Sequence, residues 1–152
     1  IGDKLKGQTA FITGDADVCA SAKAVTDFAK KNKPVTRVKV KDTESAKKAA
    51  NILRNKGVVN VIITMGKKGA YVASNDFSDI IAGYEVEAKD TTAAGDTFNG
   101  AFAVAINKGK SLKESVKFAN KAASLTVKKL GAQSSIPYLK DMDVINNQMV
   151  KT

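Results

Sequence analysis

Residues 90–100 read Asp-Thr-Thr-Ala-Ala-Gly-Asp-Thr-Phe-Asn-Gly, a loop of small residues that leads into an amphipathic helix. Gly109 follows as a stop, and before it apolar residues recur at the spacing of a helix with one buried face: Phe98, Phe102, Ala105 and Ile106. We therefore predict a helix that starts at or near Ala94. Its first backbone N–H groups lack intrahelical acceptors, and small side chains leave them open to an anion.

A carboxylate, Asp96, would lie in the first turn of this helix. The helix dipole and the unpaired donors favour its ionised form, so it can accept a proton at neutral pH. A proton acceptor beside an anion site is what transfer of a phosphoryl group to a hydroxyl requires. The structural alternative is that Asp96 only complements the helix dipole.

Three segments together resemble the ribokinase, or PfkB-type, family of carbohydrate kinases, in its carboxy-terminal, nucleotide-binding half. Residues 90–101 resemble the family's carboxy-terminal motif, and residues 61–70 resemble its strand and turn around the nucleotide. Residues 118–123, running on to 131–137, resemble its penultimate helix and the loop after it. The segments occur in family order and at family-like spacing, which is stronger evidence than any single short motif.

The resemblance implies ATP-dependent phosphorylation of a sugar hydroxyl. Asp96 would act as the general base, and the N–H groups of Ala94, Gly95 and Asp96, next to Ala93, would stabilise charge on the transferred group. Magnesium would bridge the phosphates of ATP.

Nucleotide-binding residues are also implied by the resemblance. Gly66 and Gly69 would let the backbone approach a phosphate, Thr64 would supply a hydroxyl, and Lys67 and the lysine after it would neutralise charge. Asn120 would contact the adenine side of the ligand. Structural alternatives stay open: the glycines form only a tight turn, the lysines are flexible surface residues, and Asn120 is a solvent-facing polar residue.

A monovalent-cation site, for potassium, follows from the resemblance rather than from a pattern in the chain. It would use oxygen atoms from two adjacent loops: Asp90, Thr92, Thr126, Lys129, Gly131 and Ser135. Hard oxygen ligands suit an ion of this kind. The alternative is that Gly131 caps a helix and the serines after it belong to an ordinary loop.

Strands and helices alternate along the chain, which predicts an α/β fold: a doubly wound, Rossmann-like, mostly parallel sheet with helices on both faces, ribokinase-like and truncated. Residues 58–64 are apolar and β-branched, as is typical of a central strand covered on both faces. Further strands are predicted at 8–13, 35–40, 70–73 and 83–86. Helices are predicted over 18–32 and 43–57, from Ala94, and from Ser111 to Leu130.

We expect one α/β domain over residues 1–152, with a strand-helix-strand unit at 1–40 that matches the family weakly and a nucleotide-binding half at 41–137. The family's sugar-binding glycine-rich segment and small β-lid have no counterpart here. Its Asn-x-x-Glu segment, which helps hold magnesium and phosphate, is missing between Val40 and Asp42. The expectation is nucleotide binding with impaired turnover, as in a fragment or one half of a split enzyme.

The net charge is +10, from 25 basic and 15 acidic residues, and such a balance attracts polyanions. Only two basic residues are arginines, Arg37 and Arg54, and the lysines lack interleaved exposed aromatics, so we interpret the charge as solvation rather than a nucleic-acid surface. The absence of His excludes Ser-His triads and most zinc sites. A non-catalytic nucleotide-binding module and an engineered scaffold of kinase pieces stay open.

A single cysteine, Cys19, excludes an intrachain disulfide and suits a reducing compartment. No apolar run approaches the roughly 18 residues of a membrane span. We therefore expect a soluble, cytoplasmic protein whose partners are a nucleotide and a small sugar, without membrane or nucleic acid. A homo-oligomer or a missing complementary half also fits this expectation.

Overall fold

The computed structural model describes residues 9–12 and 42–144. Its sheet has four strands in chain order: β1 (Thr9–Ile12), β2 (Asn60–Thr64), β3 (Gly69–Ala73) and β4 (Ser78–Ala82). Its α-helices are α1 (Thr43–Asn55), α2 (Ala94–Asn107) and α3 (Leu112–Thr126), and short 3₁₀ helices span Gly66–Lys68, Gln133–Ser135 and Leu139–Val144. The helix predicted over 18–32, the strand at 35–40 and Cys19 lie outside the described residues.

The described sheet is mixed rather than mostly parallel. β1 pairs with β2 in parallel, whereas β2 pairs with β3 and β3 with β4 in antiparallel register. The difference from the predicted arrangement follows from short connections, because only an antiparallel partner can be reached through a tight turn. Between β2 and β3 this turn is the single 3₁₀ turn Gly66–Lys68.

Strand β2 is covered on both faces, as its apolar composition predicts. Val61 and Ile63 face α1, where they pack with Ala46, Ala50 and Leu53. Ile62 faces the opposite side, in a second core whose larger members are Val72, Ile81, Phe98, Phe102 and Val116. Helices therefore lie on both faces of the sheet, α1 on one and the α2–α3 pair on the other.

Helix α1 begins where the sequence predicts. The Asp42 side chain accepts a hydrogen bond from the Ser45 N–H at 2.7 Å, which caps the first turn. The helix ends at Asn55, and Gly57 leaves it with a φ of +94°. At this end Arg54 donates to the Val59 carbonyl and, at 2.9 Å, to Asn75 Oδ1, so its guanidinium joins α1 to the turn between β3 and β4.

Helices α2 and α3 form an antiparallel pair. The start of α2 at Ala94 and its four predicted core residues are confirmed, since Phe98, Phe102, Ala105 and Ile106 are all buried. The capping box that opens α3 is also present: the Glu114 N–H donates to Ser111 Oγ, and the Ser111 N–H donates to Glu114 Oε2. Within the described ranges, no helix is long and apolar enough to span a bilayer.

The end of α3 differs from the prediction. The helix stops at Thr126, and Leu130 is 72% exposed rather than part of the apolar face. The N–H groups of Lys128 and Lys129 bond carbonyls three residues back, at Leu125 and Thr126, which ends the α-helical pattern. The Val127 carbonyl then accepts the N–H groups of Lys89 and Asp90 at 2.7 and 3.2 Å instead of a later helical amide. Gly131 is therefore not the helix C-cap.

The prediction of a strand at residues 83–86 is also wrong. The strand is Ser78–Ala82, and its exposed polar start, at Ser78 and Asp79, hides the alternation that marks a strand. Gly83 follows the strand in close contact with the β2–β3 turn and the first residue of β3, Gly69. A Cβ on Gly83 would lie 2.6 Å from the Lys67 carbonyl oxygen.

Candidate functional site

A cleft of about 550 Å³ opens at the carboxyl end of β2. Four segments form its walls: the turn between β2 and β3, the chain leaving β4, the loop and first turn of α2, and one face of α3. This is the edge where α/β folds bind ligands. The predicted residues Thr64, Gly66, Lys67, Gly69, Ala94, Gly95 and Asn120 all line it.

The first turn of α2 exposes a backbone donor to this cleft. Ala93 adopts a left-handed conformation, with a φ of +61°, and no side chain caps the helix. The Ala94 N–H donates to the Thr91 carbonyl at 3.3 Å, so this amide is engaged, in contrast to the three open amides expected. For the Gly95 N–H, no acceptor is found among the described residues. Gly95 is half-buried and lines the cleft.

Asp96 lies on the exposed side of the same turn, directly after Gly95. Thr97, the next residue, turns inward and is buried. Asp96 therefore lies at the surface of the helix end, next in sequence to Gly95, and is not one of the residues that line the cleft. This is the position that the small residues before it predict.

The two glycines of the β2–β3 turn have different structural roles. Gly66 has a φ of +58°, and a Cβ there would meet nothing within 4 Å, so its surroundings are open. Gly69 has a φ of +98°, and a Cβ there would lie 2.2 Å from the Ile81 carbonyl oxygen and 2.4 Å from the Gly83 nitrogen. Close approach of the ligand can explain Gly66 only, because Gly69 is required by the packing of β3 against β4.

The charged side chains that line the cleft, among the described residues, are both basic. Lys67 and Lys68 are exposed and line it, and no carboxylate does so within the described part of the chain. An anion entering the cleft would therefore meet positive charge and, at Gly95, an amide donor.

Asn120 is not the solvent-facing residue that the helix pattern suggested. It is only 6% exposed, and its side-chain nitrogen donates to the carbonyls of Ile81 and Ala82 at 2.9 and 3.1 Å. These bonds tie α3 to the end of β4. With both amide protons engaged, Asn120 can offer a ligand only its carbonyl oxygen.

Several residues of the cleft were missed by sequence reasoning. Four of them lie on the chain after β4: Gly83, Tyr84, Val86 and Ala88. Burial raises the pKa of the half-buried Tyr84 phenol. Three more, Ala123, Ser124 and Val127, follow Asn120 at the spacing i+3, i+4 and i+7, and that spacing is a signal that could have identified them.

The two loops expected to hold a cation are joined through Asp90. Its Oδ1 accepts the Thr92 N–H and its Oδ2 accepts the Gly131 N–H, both at 2.9 Å. Three other candidate ligands, Thr126, Lys129 and Ser135, take part in local hydrogen bonds. The Thr126 carbonyl accepts the Lys129 N–H at 3.1 Å, and the buried Ser135 hydroxyl donates to Ala132.

We expect protonation of Asp90 to weaken its hydrogen bonds with Thr92 and Gly131, and only at low pH. Hydrogen bonds, first from Thr92 and then from Gly131, hold the pKa of the Asp90 carboxyl below its ordinary value of 3.8. A lowered folded-state pKa contributes stability that is present above the ordinary pKa and is lost as the pH falls through the lowered one. The Gly131 amide signal in NMR should therefore stay constant above pH 4 and shift below it. In Asp90→Asn this acid-dependent shift should disappear, whereas in the exposed control Asp76→Asn it should persist.

Comparison with known proteins identifies the class that this fold and cleft define. Residues 18–139 match the family model described as pfkB family carbohydrate kinase, and the chain belongs to this family. The ribokinase of Haemophilus influenzae is 50% identical over 103 residues, which cover 68% of this chain and 34% of that protein.

Solved structures agree with the ribokinase-like fold. The ribokinase of Thermotoga maritima superposes with a TM-score of 0.65 at 33% identity, covering 90% of this chain and 41% of that one. The ribokinase of Arabidopsis thaliana, solved with ribose and ATP, gives a TM-score of 0.64 at 28% identity, covering 90% and 40%. The predicted family and the α/β ribokinase-like fold are confirmed. The chain spans about a third of the length of the curated relatives that it matches.

Proposed function

We propose that the cleft holds ATP or ADP and that Asp96 is the general base for phosphorylation of a sugar hydroxyl. The observation that carries this proposal is Gly95, which lines a basic cleft, has an N–H without an acceptor among the described residues and directly precedes the exposed Asp96. The Arabidopsis relative, solved with ribose and ATP, supports the ligand class.

The nucleobase would lie toward α3, between Tyr84 and the Asn120 carbonyl oxygen. Small side chains on this face of α3, at Ala123 and Ser124, leave room for a planar ring. The phosphates would extend toward Gly95, with Thr64, Gly66 and Lys67 along their path. Both ends of the ligand would then contact residues that already line one continuous cleft.

In the reaction, the sugar oxygen forms a bond to the γ-phosphorus while the bond to the β-phosphate oxygen breaks and ADP leaves. Asp96 accepts the hydroxyl proton, and the Gly95 N–H stabilises charge on the transferred group, whereas the Ala94 N–H stays bonded to the Thr91 carbonyl. Magnesium supplies charge neutralisation when it is bound with the phosphates.

A potassium ion would be held by Asp90, Thr92, Thr126, Lys129, Gly131 and Ser135. The donors fit because Asp90 already joins their two loops and because the set offers carboxylate, carbonyl and hydroxyl oxygens. Bound there, the ion would add positive charge close to the first turn of α2.

We also propose that residues 41–137 correspond to the carboxy-terminal, nucleotide-binding half of the family and that the protein works in the cytoplasm, where ATP is available. Sugar recognition would come from residues outside this half. Turnover by the chain alone would therefore be slow, because phosphoryl transfer depends on positioning both substrates.

Calorimetric titration of the purified chain tests the proposal directly. ATP and ADP should bind in buffer containing magnesium and potassium, and adenosine should bind more weakly because it lacks phosphates. When a panel of sugars is added, phosphorylation should be measurable but slow. Failure of ATP and ADP to bind at millimolar concentration would contradict the proposal.

Asn120→Leu is expected to weaken both fold and binding. The change removes the hydrogen bonds to Ile81 and Ala82 and should cost about 1–3 kcal/mol of stability, measured by denaturant unfolding. It should also reduce ATP affinity, because the cleft loses an acceptor and the end of β4 loses its tether. The control is Asn51→Leu on the exposed face of α1, which should change stability by no more than about 0.5 kcal/mol. Equal effects of the two changes would contradict this role.

A further inference from the structure

A pair of buried hydroxyls lies directly behind the first turn of α2. Thr126, the last residue of α3, is fully buried, and its Oγ1 is 3.1 Å from Oγ1 of Thr97. Thr97 follows Asp96 in sequence and is 6% exposed. We propose that Thr126 is a positioning residue whose hydroxyl fixes this turn through Thr97, so that Gly95 and Asp96 face the ligand correctly. The effect on ligands rests on the proposed function.

The arrangement of protons makes the contact directional. Thr126 Oγ1 is also 3.1 Å from the Ala122 carbonyl, which can only accept. Thr126 Oγ1 is the donor in both contacts, so its one proton is shared between the Ala122 carbonyl and Thr97 Oγ1. This chain of bonds holds the Thr97 side chain to α3, while its N–H is held by the Ala93 carbonyl at 2.9 Å.

The turn needs such support because its own stabilisation is weak. Ala93 has a left-handed φ of +61°, which is uncommon for a residue with a Cβ, and no side chain caps α2. Backbone in such a conformation persists when its surroundings determine it strongly. The Thr97–Thr126 contact provides this support between two residues that do not line the cleft, so it does not compete with a ligand for the Gly95 N–H.

The same helix end is attached to the loop that precedes α2. The Val127 carbonyl accepts the N–H groups of Lys89 and Asp90, and the Gly131 N–H donates to Asp90. The end of α3 thus bonds the loop before α2 at residues 89 and 90, and it bonds the first turn of α2 at Thr97. The Thr126 hydroxyl can be removed by substitution while the bonds of the Val127 carbonyl and of Asp90 stay in place, which makes it the link to test.

Two substitutions separate a positioning role from a packing role. Thr126→Val keeps the shape and removes the hydroxyl, whereas Thr126→Ser keeps the hydroxyl and removes a methyl group. Hydrogen–deuterium exchange of the ligand-free protein should become faster over residues 93–97 in Thr126→Val but not in Thr126→Ser. Exchange over α1 should be the same in both. This measurement needs no nucleotide, so it tests the positioning role even if the protein does not bind ATP.

Ligand binding gives the second readout. ADP affinity should fall by about three- to tenfold in Thr126→Val, the range expected from one hydrogen bond, while adenosine affinity stays within about twofold. Thr126→Ser should keep wild-type affinity for ADP even if its unfolding temperature falls. Thr97→Val should have the same effect as Thr126→Val, and the double variant should add little.

The inference is overturned if exchange over residues 93–97 is unchanged in Thr126→Val, or if Thr126→Ser speeds it equally. It is also overturned if ADP and adenosine lose affinity in parallel, because that result would indicate general loosening of the helix pair. Faster exchange in a protein whose wild type binds no nucleotide would instead keep Thr126 as a positioning residue and refute the proposed function.

Discussion

Asp96→Asn is expected to lower the rate of sugar phosphorylation by about 10²- to 10⁴-fold while leaving ATP binding intact. Asn keeps the size and polarity of the side chain but cannot take the hydroxyl proton. Because the change removes a negative charge beside the phosphate site, ATP affinity should stay the same or rise. ATP-dependent phosphorylation of a sugar panel, followed by ³¹P NMR, measures the first quantity, and calorimetry measures the second.

The matched control is Asp76→Asn, which removes one negative charge from an exposed turn at the other end of β3. It should change neither turnover nor affinity. If Asp96 only complemented the helix dipole, Asp96→Asn would retain turnover, and that result would remove the general base from the proposal. A large loss of ATP affinity in Asp96→Asn would point instead to a structural role for the carboxylate.

Gly69→Ala is expected to have the largest effect on folding. The added Cβ would lie 2.2 Å from the Ile81 carbonyl oxygen, a backbone atom that cannot move aside without separating β3 from β4. The φ of +98° adds strain for any residue with a side chain. We expect a loss of about 4 kcal/mol or more, a large part of the stability of a typical domain. Denaturant unfolding followed by circular dichroism measures it.

Gly100→Ala is the control for this substitution. Gly100 lies inside α2, and a Cβ there would meet nothing within 4 Å. Alanine favours a helix interior, so this change should stabilise the protein by about 0.5–1 kcal/mol. Equal unfolding midpoints for the two variants would contradict the view that the pairing of β3 with β4 requires glycine at position 69.

Local pattern was sufficient to predict the elements whose buried face is continuous in sequence. The start of α2 follows from the small residues before Phe98 and the helical spacing after it, and β2 follows from its unbroken apolar run. Strand β4 does not have such a pattern, because Ser78 and Asp79 at its start are exposed. Its limits depend on pairing with β3, which no short window of sequence contains.

The candidate site divides in the same way. Gly95 and Asp96 could be predicted because the loop and the helix end that hold them are consecutive in sequence. The position of Asn120 could not be predicted, because its side-chain nitrogen donates hydrogen bonds to carbonyls 38 and 39 residues away. The Gly131–Asp90 link, across 41 residues, likewise depends on the tertiary fold. The helical pattern alone predicts that α3 extends to Leu130, whereas the Val127 carbonyl bonds the distant residues Lys89 and Asp90 instead of a later helical amide.

Phosphate binding at the first turn of α2 is tested most directly by ¹H–¹⁵N NMR of the labelled chain during titration with ADP in magnesium and potassium buffer. If the first turn of α2 binds phosphate, the Gly95 amide should show one of the largest shift changes, together with Gly66 across the cleft. The same titration with adenosine should move the signals around Tyr84 and Asn120 and leave Gly95 nearly unchanged. Phosphate binding at this turn would be contradicted if ADP saturated the protein without shifting the Gly95 amide signal, or if ADP did not bind at all.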